Sequence, residues 1–484
     1  DGDGHGDAGS PVESCDEPAN HVATGDDCDD ADAASAPGLT EVCGDGADND
    51  CDGGSNGCHL EGVIDVGSSD APRFMSGGLY PFWEGDVAWV GDTDGDGADE
   101  FVLSSPMADS GVGAVYLIPG LLEGSWEAPS AAAATLAPET ADATFGTDVA
   151  AVGDVDGDGL PDFAVSHAAT STVYTFAAVV RGATRADDAL GTRTGEAEEE
   201  VGADLLGGAD VVGGAETDVV VASRARCASS GLPGRAWLLP GPLDTGADFS
   251  DAISVTGEAD GDGFGCSVAI VDANADGTGD VLWGAGGASS AFLFLGPVAG
   301  SNLSSGEADI RILGSEQFGS EVSEHGDADD DGYGNFIVTA RTDDTEAQAA
   351  GAAMLLDGDD LALGANASTV AYASVHATLQ GTYCCTPGSG DLDGDGTPDL
   401  VLGVPYWDAA GYNDNGAVFV FHGALTGAYV LPAADFVAEN TTDHRGTFGV
   451  LVSASGDGNG DGTGDVLAMA RFEPPLGILY LVRG

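Results

Sequence analysis

Carboxylates recur in this chain at a spacing suited to holding a hard cation. The stretch Gly390 to Pro405 reads GDLDGDGTPDLVLGVP and sets Asp391, Asp393 and Asp395 two residues apart. The chain then turns at Gly396, where a positive φ is tolerated, and supplies Asp399. With the main-chain carbonyl of Thr397, these residues offer oxygen donors in a number that suits Ca2+ better than a transition metal. An EF-hand would place a bidentate Glu at position twelve and a helix after it. Position twelve is Leu402, and the following LVLGV reads as a buried strand. The loop is expected to join two strands and to hold a structural ion, not to act as a calcium switch.

The motif returns along the chain. Its ligands are expected at Asp92, Asp94, Asp96, the carbonyl of Ala98, and Glu100. A second set is Asp154, Asp156, Asp158, the carbonyl of Leu160, and Asp162. Further sets are Asp272, Asn274, Asp276, Thr278 and Asp280, then Asp327, Asp329, Asp331, Tyr333 and Asn335. The last is Asp457, Asn459, Asp461, Thr463 and Asp465, with position seven contributing its carbonyl each time. A degenerate copy, DVVGGAETD from Asp210, has Val212 and Gly214 where ligands should be, so no metal is expected there. Successive copies lie 55 to 66 residues apart, a period that signals repeat architecture. No copy has Glu at position twelve.

Each period carries the same order of elements. An aromatic–Gly pair or a relative of it stands eight or nine residues before the loop: Trp83-Glu84, Phe145-Gly146, Val201-Gly202, Phe264-Gly265, Phe318-Gly319, Tyr383-Cys384 and Phe448-Gly449. A strand leads into the loop, a second apolar strand leaves it (FVLSS, FAVSH, VVVAS, VLWGA, FIVTA, LVLGV, VLAMA), and a third begins near a small residue, as in GAVYLI and GAVFVF. A weaker fourth precedes the next aromatic–Gly pair. Four strands per period without a helix-length segment predict an all-β, seven-bladed β-propeller of four-stranded blades. The pattern resembles the FG-GAP repeats of integrin α-subunit propellers and of many bacterial surface proteins, over roughly residues 60–484. The resemblance implies Ca2+ in the six loops that match. The last unit ends after its third strand, and EGVIDVGSSDAPRF near the start looks like a fourth strand. Residues 62–67 are therefore expected to complete the last blade and leave no open sheet edge.

Composition narrows the partners. Of 484 residues, 83 are acidic and 12 basic, for a net charge of −71. All the bases are Arg; a saline habitat and a GC-rich genome each account for that. Such acidity argues against nucleic acid or an anionic membrane as partner. Disorder is the ordinary outcome of high charge, but 43% of the residues are apolar and cluster in short runs. None of these runs approaches the roughly 18 residues of a membrane span. The chain begins at Asp1, which suggests a processed start.

Residues 1–58 differ. They hold Cys15, Cys28, Cys43, Cys51 and Cys58 and few strand signals. DDCDDADAASAPGLTEVCGDGADNDCDG is similar to a small bacterial metal-binding module, also found in a copper-associated surface protein of methanotrophs. A segment this poor in apolar residues needs staples. Cys15, Cys28, Cys43 and Cys51 can pair in three ways as disulfides, and Asp27, Asp29, Asp45, Asp48, Asp50 and Asp52 are candidate Ca2+ ligands; a soft-metal thiolate site is the rival. Cys227 with Cys266 is a candidate bridge between blades, Cys384 with Cys385 a candidate vicinal disulfide, and Cys58 the candidate odd thiol. Asn302, Asn366 and Asn440 stand in glycosylation sequons.

No nucleophile elbow, zinc-protease helix or P-loop is present, and the eight His form no pair at helical spacing, so the chain is expected not to be an enzyme. The expected role is a secreted or cell-surface binding or adhesion protein, engaging protein or glycan through the propeller face opposite the loops. Tyr406, Trp407, Tyr412 and Asn413 are candidate contacts there, and packing between blades is the alternative use of those aromatics. The competing role is a subunit of an extracellular fibre or coat, assembled from copies of itself head-to-tail through the N-terminal module.

Overall fold

The computed structural model describes residues 60–484, apart from 61, 68–70, 76–84, 123, 141–143, 178–179, 197–198, 215, 224–230, 244–246, 362–364, 380–381, 409–413, 442–445 and 472–476. Residues 1–59 lie outside the described part, and with them Asp27, Asp29, Asp45, Asp48, Asp50, Asp52, Cys15, Cys28, Cys43, Cys51 and Cys58.

Seven sheets follow one another round a ring. In the fourth, the inner strand Phe264–Val271 enters the acidic loop and Asp280–Ala285 leaves it. Ser290–Phe294 and Ile310–Leu313 complete an antiparallel meander. The second strand of every blade is buried along its whole length, as in Asp162–His167 and Asp399–Val404. This explains the continuous apolar runs there: both faces of the sheet are covered by the neighbouring blades. Each of the seven apolar cores lies between two adjacent blades. Val102, Val115 and Leu117 of the first blade pack with Phe145, Phe163 and Phe176 of the second, and Leu467 and Leu479 of the seventh pack with Phe101 and Leu103 of the first.

The aromatic–Gly pair starts the inner strand with a bulge. Between Phe145↔His167 and Val149↔Val165, four inner residues face two of the second strand, and the fourth, fifth and seventh blades repeat the irregularity. The ring of the aromatic is buried in the core: Phe145, Phe264, Phe318 and Phe448 are fully covered. The glycine is held at positive φ against the preceding blade. At Gly319 (φ 81°) an added Cβ would lie 2.2 Å from the Ser290 carbonyl oxygen, so both backbone conformation and space demand glycine. Blade six departs from the pattern. Tyr383 is exposed, the adjacent Cys384 and Cys385 are buried, and the inner strand is shortened to Thr386–Gly390. Cys266 is half-buried beside the aromatic–Gly pair of the fourth blade; Cys227 lies outside the described residues.

Two expectations need correction. The sheets are five-stranded, not four-stranded. In the first six blades the connection between the third and fourth strands lends a short parallel strand to the outer edge of the blade before it, as Gly182–Arg185 does beside Ala134–Ala137. These two- to four-residue segments are too short to carry a sequence signature. The closing strand also differs. Gly62–Asp65 is the parallel outer strand of the sixth blade, paired with Phe436–Glu439. The seventh blade is completed by Arg73–Met75, antiparallel to Ile478–Val482. The register is decided by burial: Phe74 is fully covered and packs edge-on to Phe101 at 5.2 Å, whereas Val63 is 68% exposed. Phe74→Ala is expected to cost about 3–5 kcal/mol, and Val63→Ala to stay within about 0.5 kcal/mol. Urea unfolding of both variants tests this; equal losses would return the closing role to residues 62–67.

Candidate metal centres and a carboxylate ring

Each acidic loop is a set of turns closed by its own side chains. In the first, Asp92 accepts the N–H groups of Gly95 at 2.7 Å and Gly97 at 3.1 Å, Asp94 accepts that of Asp96, and Asp96 that of Ala98. Bonds of the same kind recur in the loops from Asp154, Asp272, Asp327, Asp391 and Asp457. The residue at position nine is buried and ties the loop down. Asp280 accepts from Ala273 at 2.9 Å and from Gly296, just past the third strand, at 2.6 Å. Asp399 does the same with Leu392 and Gly423, and Asp465 with Gly458 and Gly484. Carboxylate oxygens gather accordingly: those of Asp92, Asp94 and Asp96, of Asp154, Asp156 and Asp162, and of Asp327, Asp329 and Asp331 lie within 4.8 Å of one another in each group.

Bringing these charges together raises their affinity for protons. Burial, with the charges of Asp276 and Asp272 adding to it, pushes Asp280 up to about 6. Burial pushes Asp465 up to about 7, helped by Asp461 and opposed by Arg483. A dication would reverse both shifts, because it is the largest charge such a site can hold. The donor set is hard oxygen throughout the first, second, fourth and seventh loops, and it fits Ca2+. In the sixth, Asp391 Oδ1 is buried and has no hydrogen-bond partner, an orphaned acceptor facing no protein donor.

The loops are not identical. In the third, Asp210 and Asp218 make the same backbone bonds, to Gly213 and Gly214 and to Val211 and Val212. Val212 and Gly214 supply no ligands, so the turn geometry forms without a cluster of ligands. In the fifth, position nine is the neutral Asn335, and its cross-strand partner Asp357 joins Asp331 and Asp359 in a second cluster. In the sixth, His422 Nδ1 lies 3.2 Å from Asp399 and 3.7 Å from Asp393, and Nε2 is 2.8 Å from the Leu60 carbonyl. Burial alone would lower its pKa; the bond to Asp399, the Leu60 carbonyl and the charge of Asp393 carry it up to about 9.

A second acidic group lies on the ring axis. The residue three places after the first residue of each aromatic–Gly pair or its relative is Asp86, Asp148, Asp204, Ser267, Glu321, Thr386 or Leu451. The bulge presents it to the neighbouring inner strand. Hydroxyls of the second strand receive its N–H, from Asp86 to Ser104 at 2.7 Å and from Asp148 to Ser166 at 2.9 Å. Its side chain then reaches the next blade: Asp204 accepts from Val268 at 2.8 Å and Ser267 from Val322 at 3.0 Å. Asp86 and Asp148 are buried near each other, and the charge of Asp86 adds to burial in raising the proton affinity of Asp148. Burial and the neighbouring acids push Asp148 well above the carboxylate range and Asp204 up to about 8, and burial takes Glu321 up to about 7 against the pull of Arg341. Sequence reading missed this ring, although its signal, a repeated acid at a fixed offset from the aromatic, is present.

On the end opposite the acidic loops, Tyr383 (42% exposed) and Tyr406 (37% exposed) meet edge-on at 6.1 Å. Trp407 is not a free surface aromatic: it packs edge-on to Phe419 at 5.0 Å, and its indole N–H donates to Glu439. Tyr412 and Asn413 lie outside the described residues. No helix among the described residues is long and apolar enough to cross a membrane.

The family model described as "FG-GAP repeat" matches residues 386–421. That match falls on the sixth blade. The model named Cu-binding MopE, described as "Putative metal-binding motif", matches residues 27–56. The chain is similar to integrin alpha-PS2 of Drosophila melanogaster, 33% identical over 107 residues, which are 19% of this chain and 7% of that protein. It is also similar to integrin alpha-5 of Xenopus laevis, 29% identical over 173 residues, 33% of this chain and 16% of that protein. The chain thus spans a small part of these relatives' lengths. A solved structure of BBS1N in complex with ARL6DN overlays with a TM-score of 0.40 at 11% identity, covering 85% of this chain and 94% of that one.

The axial ring makes a pH prediction. Carboxyls whose folded pKa is raised contribute stability that is fully present below their unfolded pKa, about 4, and lost as pH rises through the folded values of about 7 and 8. In saturating Ca2+, the ring's contribution is expected to lower the melting temperature between about pH 4 and about pH 8 and to level off above that, and Asp204→Asn, which keeps an acceptor for Val268, is expected to flatten the fall. Parallel curves for the two proteins would remove Asp204 from this role.

Proposed function

We propose that this chain is a calcium-stabilised, non-enzymatic binding protein of the cell exterior, whose propeller, residues 59–484, engages a protein ligand on the face opposite its acidic loops. The N-terminal module, residues 1–58, is a separate disulfide-stapled unit in this reading. The observation that carries the proposal is the repetition of one oxygen-rich loop in six blades of a propeller similar to those of integrin α chains. Ca2+ in each of these loops offsets the repulsion of three or four carboxylates and favours the folded ring by mass action. Its role is structural, because the residue at position nine and the backbone already fill most of the loop. The exposed pair Tyr383 and Tyr406 marks the ligand face, since exposed aromatics in contact suit a hot spot.

Two measurements test this. Thermal unfolding in Ca2+ and in chelator is expected to show a stabilisation of about 2.7 kcal/mol for each site held at a hundred times its dissociation constant. Asp156→Asn reduces that gain and Glu216→Gln, in the third loop, leaves it unchanged; no gain with Ca2+ overturns the calcium role. For the ligand face, purified surface proteins and a glycan array are probed with the wild type and with Tyr383→Ala/Tyr406→Ala. Ligand capture lost in the double variant supports the face, and capture retained refutes it. Size-exclusion chromatography in Ca2+ completes the test, because a polymer there would favour the fibre-subunit role.

A further inference from the structure

We infer that the sixth blade's loop is a mixed imidazole–carboxylate site that takes a transition-metal dication, with His422 Nδ1 as a ligand beside Asp393 and Asp399. This rests on the reading of the acidic loops as cation sites and concerns which cation one of them selects. The three side chains come from different parts of the blade: Asp393 from the loop, Asp399 from the start of the second strand, and His422 from the end of the third. One ligand atom of each lies within 4.8 Å of the other two. The register brings the histidine there. Leu400 pairs with Phe421, so the next step along the ladder sets His422 opposite Asp399. The corresponding partner of position nine is Pro119 in the first blade and Asp357 in the fifth, so this one cross-strand position differs between blades. In the sixth blade it introduces nitrogen.

Two further features point to a bound metal. The ring's other nitrogen, Nε2, is 2.8 Å from the Leu60 carbonyl. A proton held there for that carbonyl makes Nδ1, which faces the carboxylates, the nitrogen that can give up its proton to a dication, the arrangement by which metal-ligating histidines are fixed in tautomer and orientation. Asp391, the first residue of the same loop, has a buried Oδ1 with no hydrogen-bond partner. In the first, second, fourth, fifth and seventh loops the equivalent oxygen accepts a backbone N–H. The sixth loop thus holds a carboxylate oxygen that the backbone does not satisfy. Imidazole with carboxylates suits Zn2+, Co2+ or Ni2+, whereas Ca2+ selects oxygen alone.

The test uses the full chain in excess Ca2+, titrated with Co2+ as a coloured probe. The wild type is expected to bind one more equivalent of Co2+ than His422→Gln, with visible d–d absorption that the variant lacks. Asp393→Asn is expected to weaken that equivalent at least about tenfold, the loss of one good ligand interaction. Co2+ taken up by the N-terminal cysteines is the same in all three proteins and cancels in the comparison. In the wild type alone, a hyperfine-shifted imidazole N–H resonance reports His422 ligation without any variant. Equal Co2+ stoichiometry and spectra in wild type and His422→Gln, with no shifted imidazole resonance, overturn the inference. A chain that binds Ca2+ but shows no His422-dependent Co2+ loses this inference alone; one that binds Co2+ through His422 but no Ca2+ loses the calcium reading alone.

Discussion

A blade of this protein cannot bury its own faces. Its second strand is apolar on both sides, and water is excluded only when a neighbour lies against each face. The seven cores are accordingly contacts between blades and not within them. The remaining features follow from that constraint. The aromatic–Gly pair exists because one blade's ring must enter the core while the next residue's backbone passes within contact of its neighbour. The ring must close because an unclosed end would leave one blade's apolar face and a strand edge in water.

Closure is shared by two segments with different tasks. Arg73–Met75 supplies the missing antiparallel strand of the seventh blade and seals the core between the seventh and first blades through Phe74. Gly62–Asp65 lies outside it on the sixth blade and is clasped by Asp65, whose carboxylate accepts the N–H and hydroxyl of Thr441. The lending of a short parallel strand to the preceding blade, repeated round the ring, makes each blade's outer edge depend on the next.

The excess of acid is distributed by position. Loop carboxylates face one another where a cation can offset them, and the carboxylates at position nine are spent on backbone N–H groups. On the axis, Asp86, Asp148, Asp204 and Glu321 are held close enough to need protons. The protein therefore places its negative charge where neutralising partners, cation or proton, can be retained.

Repeat period, strand order, blade number and the turns of the acidic loops were legible in the residues, because each blade repeats one local pattern of turn chemistry and apolar alternation. The loops' departures were equally plain: Val212 and Gly214 remove ligands whatever the fold. What the residues alone did not reveal was every feature set by contact between distant segments. VIDVG and PRFM are both acceptable edge strands by composition, and the choice of Arg73–Met75 for the seventh blade depends on which apolar side chain, Phe74 or Val63, finds a buried socket. Trp407 reads as a surface aromatic until Phe419 and Glu439 are placed beside it. The joining of His422 to Asp393 and Asp399, and of four acids on one axis, depends on strand register and on the closing of the ring. Local chemistry is written residue by residue; which residues meet is decided by burial, and burial belongs to the assembled ring.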